Sequence, residues 1–186
     1  DEANLDKVKA YLKECVWGVQ LDNVDADQAK RLKDKGCDFI VFDAENTEVA
    51  VLDDEDMGKV ISIVGDLDED VVRAINDLPI DAAFLASDQD LKPVTVAKLI
   101  RIQSIRGPLD MPFVMAAPSD LSVKELEALK NADIVGLSVK LSSLDEISSL
   151  RKIIDGLPRR RVRATSRGAL VPYVAQEFLG DVITPG

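Results

Sequence analysis

The feature that most constrains this chain is a repeated unit, a short apolar run closed by a polar residue and followed by a helix-length amphipathic stretch. The runs are Val16–Leu21 ending at Asp22, Phe39–Phe42 at Asp43, Val60–Gly65 at Asp66, Ala82–Ala86 at Ser87, Pro112–Ala117 before Ser119, and Ile134–Val139 at Lys140. Their ends lie 21, 23, 21, about 31 and about 22 residues apart, which is one strand plus one crossover helix. Several runs are almost continuously apolar (Phe-Ile-Val-Phe, Ala-Ala-Phe-Leu-Ala), so the strands are expected to be covered on both faces, as in a parallel sheet.

Between the runs the apolar period becomes helical. Ala26, Ala29 and Leu32 mark one stripe, Val71, Val72, Ile75 and Leu78 a second, Leu126 and Leu129 a third, and Leu144, Ile147, Leu150, Ile153, Ile154 and Leu157 a fourth. Ser122-x-x-Glu125 and Ser143-x-x-Glu146 read as capping boxes, and Asp25-x-x-Gln28 has the same logic. Gly36, Pro79, and Gly156 with Pro158 supply the stops. The segment Asn46–Gly58 predicts about two helical turns and then a solvated acidic loop, Asp53-Asp54-Glu55-Asp56, which lacks the spaced ligands and central Gly of a calcium-binding loop.

Beyond Pro158, Arg161–Thr165 and Asp181–Thr184 read as a seventh and an eighth strand around a helix at Pro172–Leu179, and Leu5–Glu14, within residues 1–14, as a leading helix. Eight strand–helix units in one domain spanning residues 1–186 predict a small or incomplete TIM-barrel-like (β/α)8 fold. The alternative is an open, doubly wound parallel sheet, although Leu21-Asp22-Asn23-Val24-Asp25 carries no glycine-rich phosphate loop. A third arrangement is a barrel of six or seven strands that covers its open edge by forming a homodimer.

Composition narrows the chemistry. The chain has no histidine, which excludes His-based triads and imidazole acid–base catalysis. A net charge of −11 argues against a nucleic-acid partner. No run reaches the roughly 18 apolar residues of a membrane span, and the charged segment Asp1–Glu14 is unlike a secretory signal. Cys15 and Cys37 read as small buried side chains in a reducing cytoplasm. The local exception to the acidic balance is Arg159, Arg160, Arg161, Arg163 and Arg167. The cluster reads either as a solvated turn whose arginines pair with surface carboxylates or as a site for an anion, with Arg163, Arg167 and Gly168 as the candidate contacts of a small phosphate or other anionic molecule.

In a (β/α)8 protein the C-terminal ends of the strands carry the site, so Asp22, Asp43, Glu45, Asp66, Ser87, Asp88, Ser119 and Lys140 are expected on one face. Ser87 and Ser119 have no His to activate them. Lys140 closes the sixth strand, Gly136-Leu-Ser-Val-Lys140. A desolvated lysine there can form a Schiff base with a carbonyl substrate, with Asp22, Asp43 or Asp66 moving protons. This placement resembles that of the imine-forming lysine in class I aldolases of the TIM-barrel type.

Asp43, Glu45 and Asp66 also offer oxygen ligands for Mg²⁺, and Phe39-Ile-Val-Phe-Asp-Ala-Glu-Asn46 resembles the strand-2 segment of pyruvate-type class II aldolases. The metal ligands of those enzymes come from other strands, and here the fifth strand ends in Ala116-Ala117-Pro118. The ending Thr184-Pro185-Gly186 is similar to a strand end of orotidine monophosphate decarboxylases. Their Asp-x-Lys-x-x-Asp pattern is missing from the third strand, which reads Ile61-Ser-Ile-Val-Gly-Asp66-Leu-Asp68, and this sets that family aside. Two functions follow from these residues: a lyase or aldolase acting on a small phosphorylated or carboxylated carbonyl compound, and a non-catalytic barrel that binds a ligand or serves as a scaffold.

Overall fold

A computed structural model describes residues 16–86, 91–140 and 144–158. Six strands alternate with helices along the chain: β1 (Gly18–Leu21), α1 (Ala26–Asp34), β2 (Phe39–Phe42), a 3₁₀ turn (Val49–Asp53), β3 (Gly58–Ile63), α2 (Glu69–Asn76), β4 (Ala82–Leu85), α3 (Val96–Arg106), β5 (Phe113–Ala117), α4 (Val123–Asn131), β6 (Gly136–Val139) and α5 (Leu144–Asp155). All five strand pairings are parallel, and the sheet order is β1-β2-β3-β4-β5-β6.

That order decides between the two expected architectures. A doubly wound sheet reverses its strand order so that helices fall on both faces. Here every crossover steps the same way, and right-handed crossovers that never reverse put all helices on one face. A flat sheet of six strands would hold β1 and β6 about 24 Å apart at roughly 4.8 Å per step, yet Gln20 of β1 lines the same cavity as Ser138 at the end of β6 and Lys140 just beyond it. The sheet is therefore curled, and the described residues form a small, incomplete TIM-barrel-like α/β fold, a parallel half-barrel. The predicted strands Arg161–Thr165 and Asp181–Thr184, the helices Leu5–Glu14 and Pro172–Leu179, and Cys15, Ser87, Asp88, Ser143, Arg163, Arg167 and Gly168 lie outside the described residues.

One core cluster occupies the space between sheet and helices. Ile40 and Phe42, Ile61 and Ile63, Ala83 and Leu85, and Phe113 and Met115 point outward from alternate strand positions. They meet Ala29, Leu32, Val72, Ile75, Ile102, Ile105, Leu126, Leu129 and Leu150 on the helices. The opposite, concave face is half-buried at Phe39, Val41, Val60, Ala82 and Val114. The runs read as doubly covered because the barrel's inner face is itself apolar; in the described residues the outer face is the more deeply buried of the two.

Glycine at the foot of the concave face makes room for an aromatic ring. A Cβ at Gly18 would overlap the ring of Phe39 and come within 2.5 Å of its carbonyl oxygen. Gly18→Val is expected to cost about 1–3 kcal/mol by overpacking, read as a lowered urea midpoint, whereas an unchanged midpoint would mean that β1 and β2 separate freely.

In the acidic segment Asp53, Glu55 and Asp56 are exposed and Asp54 is half-buried, and the expected helical turns form as a five-residue 3₁₀ helix, Val49–Asp53. Lys33 Nζ pairs with Asp54 at 2.7 Å and Asp56 at 3.0 Å. Lys59, which is 5% exposed, donates to the carbonyl oxygens of Asp54 at 2.8 Å and Leu52 at 3.2 Å. Two lysines thus hold Asp54 and Asp56 at the loop that leads into β3.

Candidate active site

The loops after the strands are built by local capping and by cross-loop bonds. After β1, Asp25 accepts from Gln28 N–H at 2.6 Å to start α1. Val24, fully buried, exchanges backbone hydrogen bonds with Asn46 and Glu48 of the next loop. After β5, Ser122 and Glu125 form the predicted capping box. Glu125 does more than cap, because its second oxygen accepts Val94 N–H at 3.0 Å from the loop after β4. Lys92 of that loop also pairs with Asp120 at 2.5 Å. The loops after β4 and β5 are therefore tied together, and Leu91, 6% exposed, is pinned over the strand ends.

These backbone and hydroxyl donors hold the Glu125 carboxyl down from 4.5 to about 2. A carboxyl lowered on folding stabilises the native state fully above its unfolded value and loses that contribution as pH falls through its folded one. Glu125→Gln is therefore expected to lower stability at pH 7, and the gap to the wild type should close as pH is taken from about 4.5 toward about 2. Urea midpoints measured across that window test this, and a gap independent of pH would contradict it.

A cavity of about 440 Å³ opens at the C-terminal ends of β4, β5 and β6. Its wall is mostly apolar (Phe84, Ala86, Leu91, Ala116, Ala117, Pro118 and Val139), with three polar residues, Gln20, Ser138 and Lys140. The pattern of an apolar hollow with a few convergent polar groups is that of a small-molecule site. Lys140 follows β6 by one residue and shares the concave face of Gly136 and Ser138, at alternate positions. Among the described residues no hydrogen bond or ion pair occupies its ammonium group.

The predicted carboxylates are not brought to this cavity. Asp22 is exposed on the bend after β1. Asp43 is half-buried, and its Oδ1 accepts Glu45 N–H at 2.8 Å, closing a local turn. Asp66 is exposed and lies 3.7 Å from Arg101 Nε on α3. Among the described residues no three acidic or cysteine side chains converge as metal ligands, so Asp43, Glu45 and Asp66 are not gathered into one cluster. Cys37 is buried, donates to Phe39 O at 3.2 Å, and has its thiol pushed up by burial; it is a core residue. No helix among the described residues is long and apolar enough to cross a membrane.

Sequence reading missed Gln20 and Ser138. The signal was present as polar breaks in apolar strands, two residues before Asp22 and Lys140 respectively, hence on the same face of each strand as those ends.

No family model matches the sequence, and no curated protein matches it by sequence. Solved structures share the fold, two of them as follows. The 3-keto-L-gulonate-6-phosphate decarboxylase of Vibrio cholerae superposes with a TM-score of 0.62 at 13% identity, over 84% of this chain and 79% of that one. A Coccidioides immitis protein described as a deoxyribose-phosphate aldolase superposes with a TM-score of 0.54 at 12% identity, over 84% of this chain and 81% of its own. At these identities the likeness is one of fold, and it places this chain among TIM-barrel-type architectures that include decarboxylases and aldolases.

Proposed function

We propose that this protein is a lyase of the aldolase type that acts on a small carbonyl compound carrying a carboxylate or phosphate, with Lys140 as the nucleophile. The observation that carries this reading is the position of Lys140, just after β6 in the wall of a cavity that opens on the ends of β4, β5 and β6. The lysine nitrogen, as the neutral amine, attacks the carbonyl carbon and water leaves. The resulting iminium accepts the electrons of the Cα–Cβ bond as that bond breaks and the β-hydroxyl gives up its proton, which releases one carbonyl fragment and leaves an enamine on the lysine; protonation at carbon and hydrolysis by water then release the second fragment and the free amine. Asp22 and Asp43 are the proposed acid–base groups, acting through water, since neither lines the cavity. Asp66, engaged by Arg101, is the least suited of the three. Arg163, Arg167 and Gly168 are the proposed anion clamp on the sequence argument alone. The names of both fold neighbours, a sugar-phosphate decarboxylase and a deoxyribose-phosphate aldolase, support phosphorylated carbonyl compounds as the first class to try.

One observation favours a second reading, a binding barrel without catalysis: the lysine's cavity is walled by apolar side chains with no carboxylate among them. Borohydride reduction in the presence of a panel of keto acids and sugar phosphates separates the two. The lyase reading predicts a reduced adduct on Lys140 with at least one compound. Binding without any such adduct supports the second reading and sinks the first.

A further inference from the structure

Resting on the proposed imine chemistry, we infer that Gln20 and Ser138 form a hydroxyl-reading pair, which selects carbonyl compounds bearing a hydroxyl group next to the carbonyl carbon. The two residues lie on the concave face at opposite edges of the described sheet, Gln20 on β1 and Ser138 on β6, and the curl brings both into the wall of the cavity that holds Lys140. Their setting is otherwise apolar: Phe84, Ala86, Leu91, Ala116 and Pro118 complete much of the wall. Both side chains are exposed at the mouth of the cavity, and among the described residues neither makes a hydrogen bond, so each can bond a ligand that enters without giving up a protein partner.

Their chemistry specifies the ligand group. A carboxamide and a hydroxyl each donate and accept, whereas the lysine ammonium only donates. A substrate hydroxyl also does both, so it can satisfy the pair, while a bare hydrocarbon leaves the amide and hydroxyl facing carbon. With Lys140 bonded to the carbonyl carbon, the neighbouring substituent is the one within reach of Ser138, two residues back on the same face. The apolar wall then meets the C–H groups. Sites built to bond a substrate hydroxyl discriminate against the analogue lacking it, and a single neutral hydrogen bond in a partly open cavity corresponds to roughly a tenfold preference.

The test compares glycolaldehyde with acetaldehyde, each with cyanoborohydride. In both cases the lysine nitrogen forms a bond to the carbonyl carbon and water is lost. Hydride from the reagent then reduces the C=N bond while the nitrogen keeps a proton from solvent, leaving a hydroxyethyl or an ethyl group on the lysine. Peptide-resolved mass spectrometry reads labelling at Lys140, normalised to Lys30, which is exposed on α1 and reports each aldehyde's intrinsic reactivity. The wild type is expected to favour glycolaldehyde about tenfold at Lys140 relative to Lys30. Gln20→Leu and Ser138→Ala should each collapse that ratio toward one. A merely structural role would scale both labels together and leave the ratio in place. Lys140 labelling with no hydroxyl preference, or a preference that survives both substitutions, overturns this inference and leaves the imine reading standing. Labelling of Lys140 no faster than Lys30 with either aldehyde overturns the imine reading itself.

Discussion

Lys140→Met is expected to remove carbonyl-adduct formation in the cavity and to reduce kcat/KM on any cleaved substrate by roughly a thousandfold or more, as loss of a covalent nucleophile does. Methionine keeps an unbranched apolar stem of similar reach and lacks only the amine, so the cavity wall that Lys140 shares with Phe84, Pro118 and Val139 is preserved. Stability should change little, because Lys140 is exposed and no described partner depends on its charge. A companion change, Asp43→Asn, should have a smaller effect, since Asp43 does not line the cavity and an asparagine oxygen can still accept Glu45 N–H. Turnover by Lys140→Met within tenfold of the wild type would remove the covalent reading.

Phe113→Ala is expected to cost about 3–5 kcal/mol, the usual range for emptying a buried aromatic site. Phe113 has no exposed surface, sits at the start of β5 opposite Ala83 of β4, and points into the layer between sheet and helices. Its carbonyl also accepts Val135 N–H at 3.0 Å, so the position ties the lead-in to β6 onto β5. Small domains hold only about 5–15 kcal/mol in total, so this loss is a large share of the reserve. Val114→Ala, one residue on and half-buried on the concave face, should cost markedly less, about 1 kcal/mol. Urea unfolding of the two variants measures the asymmetry. Equal losses would mean that the concave face is packed as tightly as the outer layer.

The strands were legible because parallel strands in this fold are short apolar runs closed by polar residues. Phe39–Phe42 stands as read, and the others moved by one or two residues: β3 begins at Gly58 instead of Val60, and β6 at Gly136 instead of Ile134. The shift in β3 has a physical cause. Gly58 and Lys59 look like loop residues, yet Gly58 is needed beside Phe39, and Lys59 finds two carbonyl partners that let it be buried. Helix α3 left no clear stripe because it is apolar on both sides: Ile102 and Ile105 face the core, while Val96 and Ile100 are exposed. Sheet order, which rules out the doubly wound alternative, is a property of long-range pairing that no local pattern carries.

At the strand ends, the position of Lys140 after β6 was legible in the sequence, whereas the residues that share its cavity were not. Polar residues at strand ends were expected to converge, whereas Asp43 bonds its own turn, Asp66 reaches Arg101, and Asp54 of the acidic run pairs with Lys33. Side chains at strand ends take whichever donor lies nearest, and those donors become visible only when the helices are placed. Gln20 enters the cavity because the sheet curls through a third dimension that the chain order of β1 and β6 does not reveal.

A carbonyl compound held on Lys140 inside this half-barrel can be seen directly. The most direct measurement is a crystal structure of the protein after borohydride reduction with the compound that labels it best. Continuous density is expected from Lys140 Nζ into the cavity, with the ligand lying between Gln20 and Ser138 and beneath Leu91. Density on a lysine outside the cavity, or an unmodified Lys140 beside a ligand bound elsewhere, would contradict it.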